Sequence, residues 1–234
     1  MKKNHDKKTI VLRKKIDETE VLEILNNKKT ALFKSIFSRP KKSDIHIHSV
    51  KLYYECILMI SGKYVANYFR KATHSISVNS NVSAVILGDD IFSVRTKSNF
   101  KKAIVGKRGK NKVDLKLEEH VFVENEDELT FDHHGREIKF PFKLNSKTTE
   151  NYPNRLLEKN SSNIKNSELT HDDVIQKLQS FLKKPLKDEV RKLEEEFVLR
   201  EISEVYVPIY EARLIGPKKK IAIIRIDAVR NKIL

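Results

Sequence analysis

The amino-acid sequence predicts an α+β fold in which helices pack on antiparallel sheets. Two segments, residues 17–37 and 170–197, repeat apolar residues at helical spacing. Residues 49–60 instead alternate apolar and less apolar positions with a period of two, which is typical of a strand. Further short strands separated by turn residues follow it, so neighbouring strands are expected to pair in antiparallel fashion.

The first 93 residues are predicted to form an N-terminal α+β unit. Residues 10–12 are apolar and predict a short strand behind a basic tip. Asp17 and Glu20 have the spacing of a capping box, which begins a helix, and Pro40 ends it because proline cannot continue helical hydrogen bonding. Three strands are expected to follow, with a hairpin turn after the first: residues 50–60, residues 64–69 with an alternative extension to 78, and residues 82–87.

Residues 94–145 are predicted to be a charged, β-rich segment, either an insertion or a separate domain. Eight Lys or Arg residues and no acid lie between residues 95 and 112, and nine acids lie between residues 114 and 137. Residues 146–169 are polar and rich in Asn and Ser, so we expect a linker or a long surface loop there. The sequence thus divides into a folded unit at each end and a charged middle.

The last predicted unit, residues 170–234, is a helix followed by a hairpin. Thr170 and Asp173 have the spacing of a second capping box. Apolar residues at helical spacing continue past Pro185, which stops or kinks the helix, as far as Phe197. Two strands are expected to follow: residues 205–209 and 221–226.

The two end units have a similar order of features. Each has a helix, then a Phe followed closely by a Pro, then strands. The first strand of each unit contains a Tyr-Glu pair, at Tyr54-Glu55 and at Tyr210-Glu211. This order predicts two related helix-plus-meander units that flank the charged middle segment.

Residues 206–212 and 224–229 are the two strands of the C-terminal hairpin, and the second ends in Asp227-Ala228, followed by Val229 and Arg230-Asn231. This hairpin resembles the closing hairpin of PepSY-type modules: Asp227 and Ala228 match the Asp-Ala-x-Thr-Gly turn of that family, and Arg230-Asn231 replaces its Thr-Gly. In that family a helix packs on an antiparallel sheet, and the modules are typically exported and non-catalytic. The resemblance implies a binding or inhibitory module.

Composition and charge limit the classes of function. The chain has 234 residues and a net charge of +15, so its surface is expected to attract polyanions such as nucleic acid, an anionic membrane or an acidic protein surface. A Lys- and Asn-rich genome composition is the other explanation of this charge. The single cysteine, Cys56, can form no internal disulfide, and neither a secretory signal nor a membrane-spanning run is evident, so a cytoplasmic location is expected.

Two histidines provide the strongest motif for a metal site. His46 and His48 lie two residues apart, so on a strand both imidazoles share one face, which suits a divalent metal. The surrounding Asp-Ile-His-Ile-His-Ser resembles the opening motif of PHP-type metal-dependent phosphoesterases, which implies a metal-dependent hydrolase. The later ligands of that family have no evident counterparts, so the favoured interpretation is two half-exposed histidines on a sheet and no metal.

Other residues with reactive side chains have ordinary structural explanations. Residues 132–135, Asp-His-His-Gly, are typical of a tight turn, and both histidines are expected to point to water. Cys56 lies in the apolar register of a strand and is predicted to be a core residue. Residues 194–196, three consecutive Glu, are predicted to pair with cations one helical turn away. No nucleophile elbow or phosphate-binding loop is present, so neither enzyme activity nor a cofactor is predicted.

Clusters of Lys and Arg are the favoured functional candidates. The cluster around Gly106 and Gly109 predicts an exposed hairpin tip able to lie along phosphates, and a second basic turn follows Gly216. The alternative for the first cluster is that it pairs with the acidic stretch next to it. The predicted polyanion-binding residues are Lys101, Lys102, Lys107, Arg108, Lys110, Lys112, Lys218, Lys219 and Lys220.

We therefore expect a non-catalytic basic protein that binds nucleic acid or another polyanion through these loops. Such binding is expected to be directed to the backbone, because aromatic residues are not regularly interleaved with the basic ones. The alternative is a protein–protein adaptor or accessory subunit built from PepSY-like modules, which binds a partner or itself through exposed strand edges.

Overall fold

A computed structural model describes four ranges of the chain: residues 7–34, 40–95, 111–186 and 189–234. The chain divides into two compact units, of which the second contains residues 64–125 and 183–197 and the first contains the rest. Strands account for 53% of the structure and helices for 21%. The α+β class is therefore confirmed, with the sheet as its larger part.

The described elements include three α-helices and nine strands of very different length. The helices are α1 (Glu18–Phe33), α2 (Pro153–Lys159) and α3 (His171–Leu182). The strands are β1 (Lys7–Val11), β2 (His46–Val78), β3 (Ala84–Leu87), β4 (Asp90–Arg95), β5 (Asn111–Phe131), β6 (Ile164–Lys165), β7 (Val190–Ile215), β8 (Ile221–Asp227) and β9 (Lys232–Ile233). Strands β2, β5 and β7 each contribute residues to both units.

The sheet of the first unit has the strand order β2-β7-β8-β9. β7 and β8 form an antiparallel hairpin in which Arg213 pairs with Ile223 and Ile215 with Ile221. β1 is added in parallel beside β7, and β6 is added in parallel beside β2 at Tyr54. The sheet is thus mainly antiparallel, as predicted, with two short parallel additions.

Helix α1 begins where the sequence predicts, at a capping box. The backbone N–H of Glu20 donates to Oδ1 of Asp17 at 3.0 Å, and the N–H of Asp17 donates to Oε2 of Glu20 at 2.9 Å. Val21 and Leu25, one turn apart, are fully buried in a core that includes Leu214 and Ile224 of the sheet. Each such burial contributes about 1.5–3 kcal/mol. α1 therefore covers one face of the first unit's sheet.

The opposite face of this sheet carries a second core and then a polar region. Along β7, Val205 and Ile209 pack in the second core, which Phe140 and Phe142 help to cover. Successive side chains of a strand alternate between faces, so odd-numbered positions further along β7 continue on this face. The next such positions are Glu211 and Arg213, which begin the polar region.

The second unit is built from the remaining parts of the long strands and from the β3–β4 hairpin, in the order β3-β4-β5-β2-β7. Gly88 occupies the turn of the hairpin with a φ of +60°, a conformation that favours glycine. Ile86 and Ile91 pair across this hairpin, and both side chains are exposed. In β2, Tyr64 is buried, and its hydroxyl donates to Oε1 of Glu195 at 2.6 Å.

The predicted hairpin turn at residues 61–63 is wrong, because β2 runs through it without a break. Gly62 is buried, and the alternation of buried side chains continues beyond it at Tyr64, Ala66 and Tyr68. A glycine between two apolar segments predicts a turn from local sequence. Here the period-two patterns on the two sides of Gly62 are in register. One long strand therefore buries the apolar side chains of both segments on the same face.

The predicted helical continuation to Phe197 is also wrong. α3 ends at Leu182, and residues 190–215 form β7. The helical spacing of its apolar residues therefore predicts a helix where the structure has a strand. Pairing of this segment with the long β2 strand overrides its local propensity. As a result Glu195 lies on a strand, where its carboxylate accepts from Tyr64 and from Lys183 at 2.7 Å instead of pairing along a helix.

The segment predicted as a linker or surface loop, residues 146–169, contains regular structure. Pro153 is the first residue of α2, a position that proline tolerates because its missing N–H would be unpaired there. Residues 164 and 165 then form β6 against β2. This short pairing brings Lys165 onto the first unit's sheet. The capping box at Thr170 and Asp173 is confirmed: the N–H of Thr170 donates to Oδ2 of Asp173 at 2.8 Å.

Candidate anion-binding site

The predicted basic residues are found in different parts of the chain. Lys101, Lys102, Lys107, Arg108 and Lys110 lie outside the described residues. Lys112 is exposed on β5 in the second unit, opposite Arg95 of β4. Lys218, Lys219 and Lys220 belong to the first unit, in the turn between β7 and β8.

The β7–β8 turn holds two of its three lysines in an unusual backbone conformation. Lys218 and Lys219 have φ angles of 57° and 58°, in the left-handed region that non-glycine residues rarely adopt. Each such residue costs about 1 kcal/mol or more and persists where its surroundings impose it. At Gly216 a Cβ atom would meet the ring of Phe33 at 2.5 Å, so this ring fixes the start of the turn. All three lysine side chains are exposed.

A polar pocket lies on the sheet face that continues from this hairpin. It has a volume of about 220 Å³. Residues of two strands that are neighbours in the sheet, β2 and β7, line it. The lining residues are His48, Ser49, Lys51 and Tyr53 from β2 and Glu211 and Arg213 from β7.

The charge of this pocket is positive. Glu211 is its one acidic lining residue, and Oε2 of Glu211 lies 3.4 Å from Nζ of Lys165. Lys51 and Arg213 are exposed, and neither has an acidic partner in the described ranges. Two permanent positive charges are therefore left uncompensated at the pocket, which suits an anion.

A network around a buried carboxylate lies beside the pocket. Glu55 is only 7% exposed, and its Oε1 accepts from Nζ of Lys165 at 3.0 Å. The guanidinium of Arg225 donates to Oε2 of the same carboxylate. Lys165 also lies over the ring of Tyr53, 4.6 Å from its centroid, in a cation–π contact. The network therefore neutralises the charge of Glu55, and its Lys165 fixes the position of the pocket residue Tyr53.

The turn at residues 132–135 is confirmed, but the prediction that both histidines point to water is wrong. Gly135 has a φ of +77°, and Oδ1 of Asp132 accepts from the N–H of His134 at 3.0 Å. The side chain of His133 is only 13% exposed, and its Nδ1 lies 3.6 Å from Oε2 of Glu55. Burial lowers the pKa of His133 and outweighs the attraction of Glu55, which acts in the opposite direction.

His48 lines the pocket, whereas His46, the other candidate metal ligand, is not one of its lining residues. The pocket is also lined by Lys51 and Arg213, and their positive charge opposes the binding of a metal cation. Among the residues for which the structure gives positions, no three His, Cys, Asp or Glu side chains come together to hold a metal ion. His46 and His48 are both exposed on β2.

A second group of polar side chains surrounds Cys56 on the other face of β2. Glu204 lies 2.6 Å from Nζ of Lys7 and 2.9 Å from Nε2 of His171, and it accepts from the hydroxyl of Tyr206 at 2.9 Å. These groups stabilise the Glu204 carboxylate. Burial raises the pKa of the Cys56 thiol to about 12, so the thiol stays neutral. Cys56 is buried, as expected of the predicted core residue.

Several acids of the stretch 114–137 pair with cations of β2 or β7. In the second unit, Nε of Arg70 donates to Oε2 of Glu119 at 2.8 Å, and Arg191 lies 3.7 Å from Glu118. In the first unit, Arg200 pairs with Glu126. Three acids of this stretch, Glu118, Glu119 and Glu126, therefore pair with cations outside the adjacent basic run. These pairs compete with the alternative in which the acidic stretch neutralises that run.

Sequence reasoning missed Lys51, Lys165, Arg213 and Arg225. The two Tyr-Glu pairs, Tyr54-Glu55 and Tyr210-Glu211, are the sequence feature that could have indicated some of these residues. Both glutamates contact Nζ of Lys165, so the pairs on β2 and β7 are brought together on the sheet. Residues two positions from these glutamates, on the same face, are Tyr53 and Arg213.

No protein-family model, no curated protein and no solved structure matches the chain. In the described part of the chain, no helix has both the length and the apolar character needed to cross a membrane. The function is therefore inferred from the chemistry of the side chains.

Proposed function

We propose that this protein is a non-catalytic basic protein that binds nucleic acid through the phosphate backbone. The observation that carries the proposal is a set of five exposed cations in the first unit, which we name the basic surface: Lys51, Arg213, Lys218, Lys219 and Lys220. In the described ranges none of them has an acidic partner, whereas many other Lys and Arg residues pair with acids. An uncompensated group of cations attracts a polyanion.

The physical basis of such binding is counterion release. Each phosphate that a cation neutralises releases condensed counterions, and the slope of log Kobs against log salt is about −0.7 per phosphate for a single strand. Contacts of this kind position a strand without reading its sequence. Lys112 and the basic residues 101–110 would add to the same attraction, as the sequence predicts.

The conformation of the β7–β8 turn supports this role. Two consecutive lysines in the left-handed region oppose folding, so their retention needs a compensating reason. A turn held by the packing of Gly216 against Phe33 presents its lysines with little loss of backbone freedom on binding. Preorganisation of the three charges is such a reason.

A non-catalytic role is supported by the state of the reactive side chains. The thiol of Cys56 is buried and neutral, and the buried carboxylate of Glu55 is engaged by two cations. Neither group is available as a nucleophile or a base for a substrate in the pocket.

The test is a titration of fluorescent 20-nucleotide single and double strands, followed by anisotropy at low salt. The triple variant Lys218→Gln, Lys219→Gln, Lys220→Gln should weaken binding at least tenfold, because three phosphate contacts are lost. The matched control replaces Lys139, Lys143 and Lys147, which are exposed and lie outside the basic surface, and it removes the same charge. Equal loss in both variants would show that only net charge matters. Absence of binding even at low salt removes the proposal.

A protein–protein adaptor remains the second candidate, and exposed apolar side chains favour it. Ile221 and Ile223 of β8 are 71% and 53% exposed, and Ile86 and Ile91 are exposed in the second unit. Apolar groups on strands are common at protein interfaces. Co-purification of one stoichiometric protein that survives nuclease treatment would support this candidate. The PepSY-like resemblance and the two related helix-plus-meander units belong to the same candidate and stay predictions.

A further inference from the structure

We propose that the pocket beside the β7–β8 hairpin binds the terminal phosphate of a nucleic-acid strand, a phosphomonoester, in preference to an internal phosphodiester. This inference rests on the proposed function and names the chemical group that the pocket selects. It concerns the six residues that line the pocket, among which Lys51 and Arg213 carry the permanent positive charges.

The charge of the pocket matches a dianion. Glu211 is compensated by Lys165, and Glu55 is compensated by Arg225, so these four charges cancel. Lys51 and Arg213 then leave a surplus of two positive charges. A terminal phosphate carries about −1.5 to −2 at pH 7, whereas an internal phosphodiester carries a single negative charge. The terminal group therefore gains more from the pocket.

The donors of the pocket suit phosphate oxygens. The planar guanidinium of Arg213 can donate two parallel hydrogen bonds to one phosphate, and the ammonium of Lys51 acts as a point charge beside it. A ring N–H of His48 and the hydroxyls of Ser49 and Tyr53 supply neutral donors around them. A phosphomonoester has three terminal oxygens to accept these bonds, one more than a phosphodiester has.

The size of the pocket also selects a small group. Its volume of about 220 Å³ is below the roughly 300–1,000 Å³ of sites that enclose drug-sized ligands. A pocket of this size suits a phosphate group with a few waters. The sugar and the rest of the strand would then lie outside, where the Lys218–Lys220 turn is available to further phosphates.

The experiment compares three oligonucleotides of one sequence, carrying a 5′-phosphate, a 3′-phosphate or hydroxyls at both ends. Binding to the full chain is measured by anisotropy at constant salt. A phosphorylated end should bind about tenfold tighter than the hydroxyl end, because charge-assisted hydrogen bonds are worth about a factor of ten or more. The variant Arg213→Gln should abolish this preference, and Lys51→Gln should reduce it.

The control is Lys218→Gln, which removes one charge outside the pocket. It should weaken the binding of all three oligonucleotides by the same factor and leave the preference for a phosphorylated end unchanged. Thermal unfolding of each variant checks that the fold is retained, which is expected because Lys51 and Arg213 are exposed.

Three results would overturn the inference in distinguishable ways. Equal binding of the three oligonucleotides to the unmodified protein removes the terminal-phosphate site and leaves backbone binding standing. A preference that Arg213→Gln does not change places the site elsewhere and removes this pocket. If no oligonucleotide binds, the proposed function fails as well. A thermal-shift titration with inorganic phosphate then shows whether the pocket binds phosphate that does not belong to nucleic acid. Phosphate bound in the pocket should raise the Tm of the unmodified protein and leave the Tm of Arg213→Gln unchanged.

Discussion

The buried carboxylate of Glu55 offers a prediction whose magnitude follows from its partners. Removal of one member of a fully buried ion pair costs about 3–5 kcal/mol, because the remaining charge is left uncompensated. Here the partners are less buried: the side chains of Lys165 and Arg225 are 31% and 32% exposed. Lys165 also keeps Glu211 as a second acid at 3.4 Å. Water and this second acid therefore relieve part of the cost.

We expect Glu55→Gln to lower the free energy of unfolding by about 1–2 kcal/mol and Glu55→Ala by about 2–3 kcal/mol. Glutamine keeps the shape and one acceptor, whereas alanine also leaves a cavity beside the β2–β6 pairing. For a chain of this size, 1 kcal/mol corresponds to a shift of about 2–4 °C in Tm. Urea unfolding and calorimetry measure both quantities.

The matched control is Glu158→Gln on α2, the same chemical change at an exposed position. The free energy of unfolding of this control should stay within about 0.5 kcal/mol of that of the unmodified protein. A double-mutant cycle with Lys165→Gln separates the pair energy from other effects. If Glu55→Gln is as neutral as the control, the carboxylate is not the centre of the network, and the charge balance of the neighbouring pocket must be reconsidered.

Two further predictions concern titration and reactivity. The pKa of His133 is lowered on folding, so the neutral ring stabilises the protein above the unfolded pKa of about 6.5, and stability should fall as the pH drops below that value. Unfolding followed from pH 7.5 to 5 should show this slope, which His133→Gln should reduce; an unchanged slope contradicts the assignment. Cys56, with a pKa of about 12, should resist a thiol reagent at pH 8 until the protein is unfolded, and rapid labelling of the native protein would contradict its burial.

The parts of the fold that sequence could predict are those decided by local chemistry. The capping boxes at Asp17 and Thr170 depend on residues three positions apart, and both are present in the structure. Alternation along β2 likewise reflects a two-residue period that any strand must have.

The parts that sequence could not predict depend on distant pairing. The helical spacing that ends at Phe197 was overridden by the pairing of β7 with β2, and the Gly62 segment continued as a strand for the same reason. The basic turn at Lys218 was predicted as a candidate site from composition alone. The pocket was not, because Lys51 and Arg213 are far apart in sequence and meet only when the two strands become neighbours.

The dependence of binding on salt tests the central claim most directly. For a single strand, the unmodified protein should give a slope of log Kobs against log salt of about −3 or steeper, as expected when the five cations of the basic surface contact phosphates. The Lys218→Gln, Lys219→Gln, Lys220→Gln variant should make this slope less steep by about 2, at roughly 0.7 for each lost contact. A slope near zero in the unmodified protein, or the same slope in both proteins, would contradict the account.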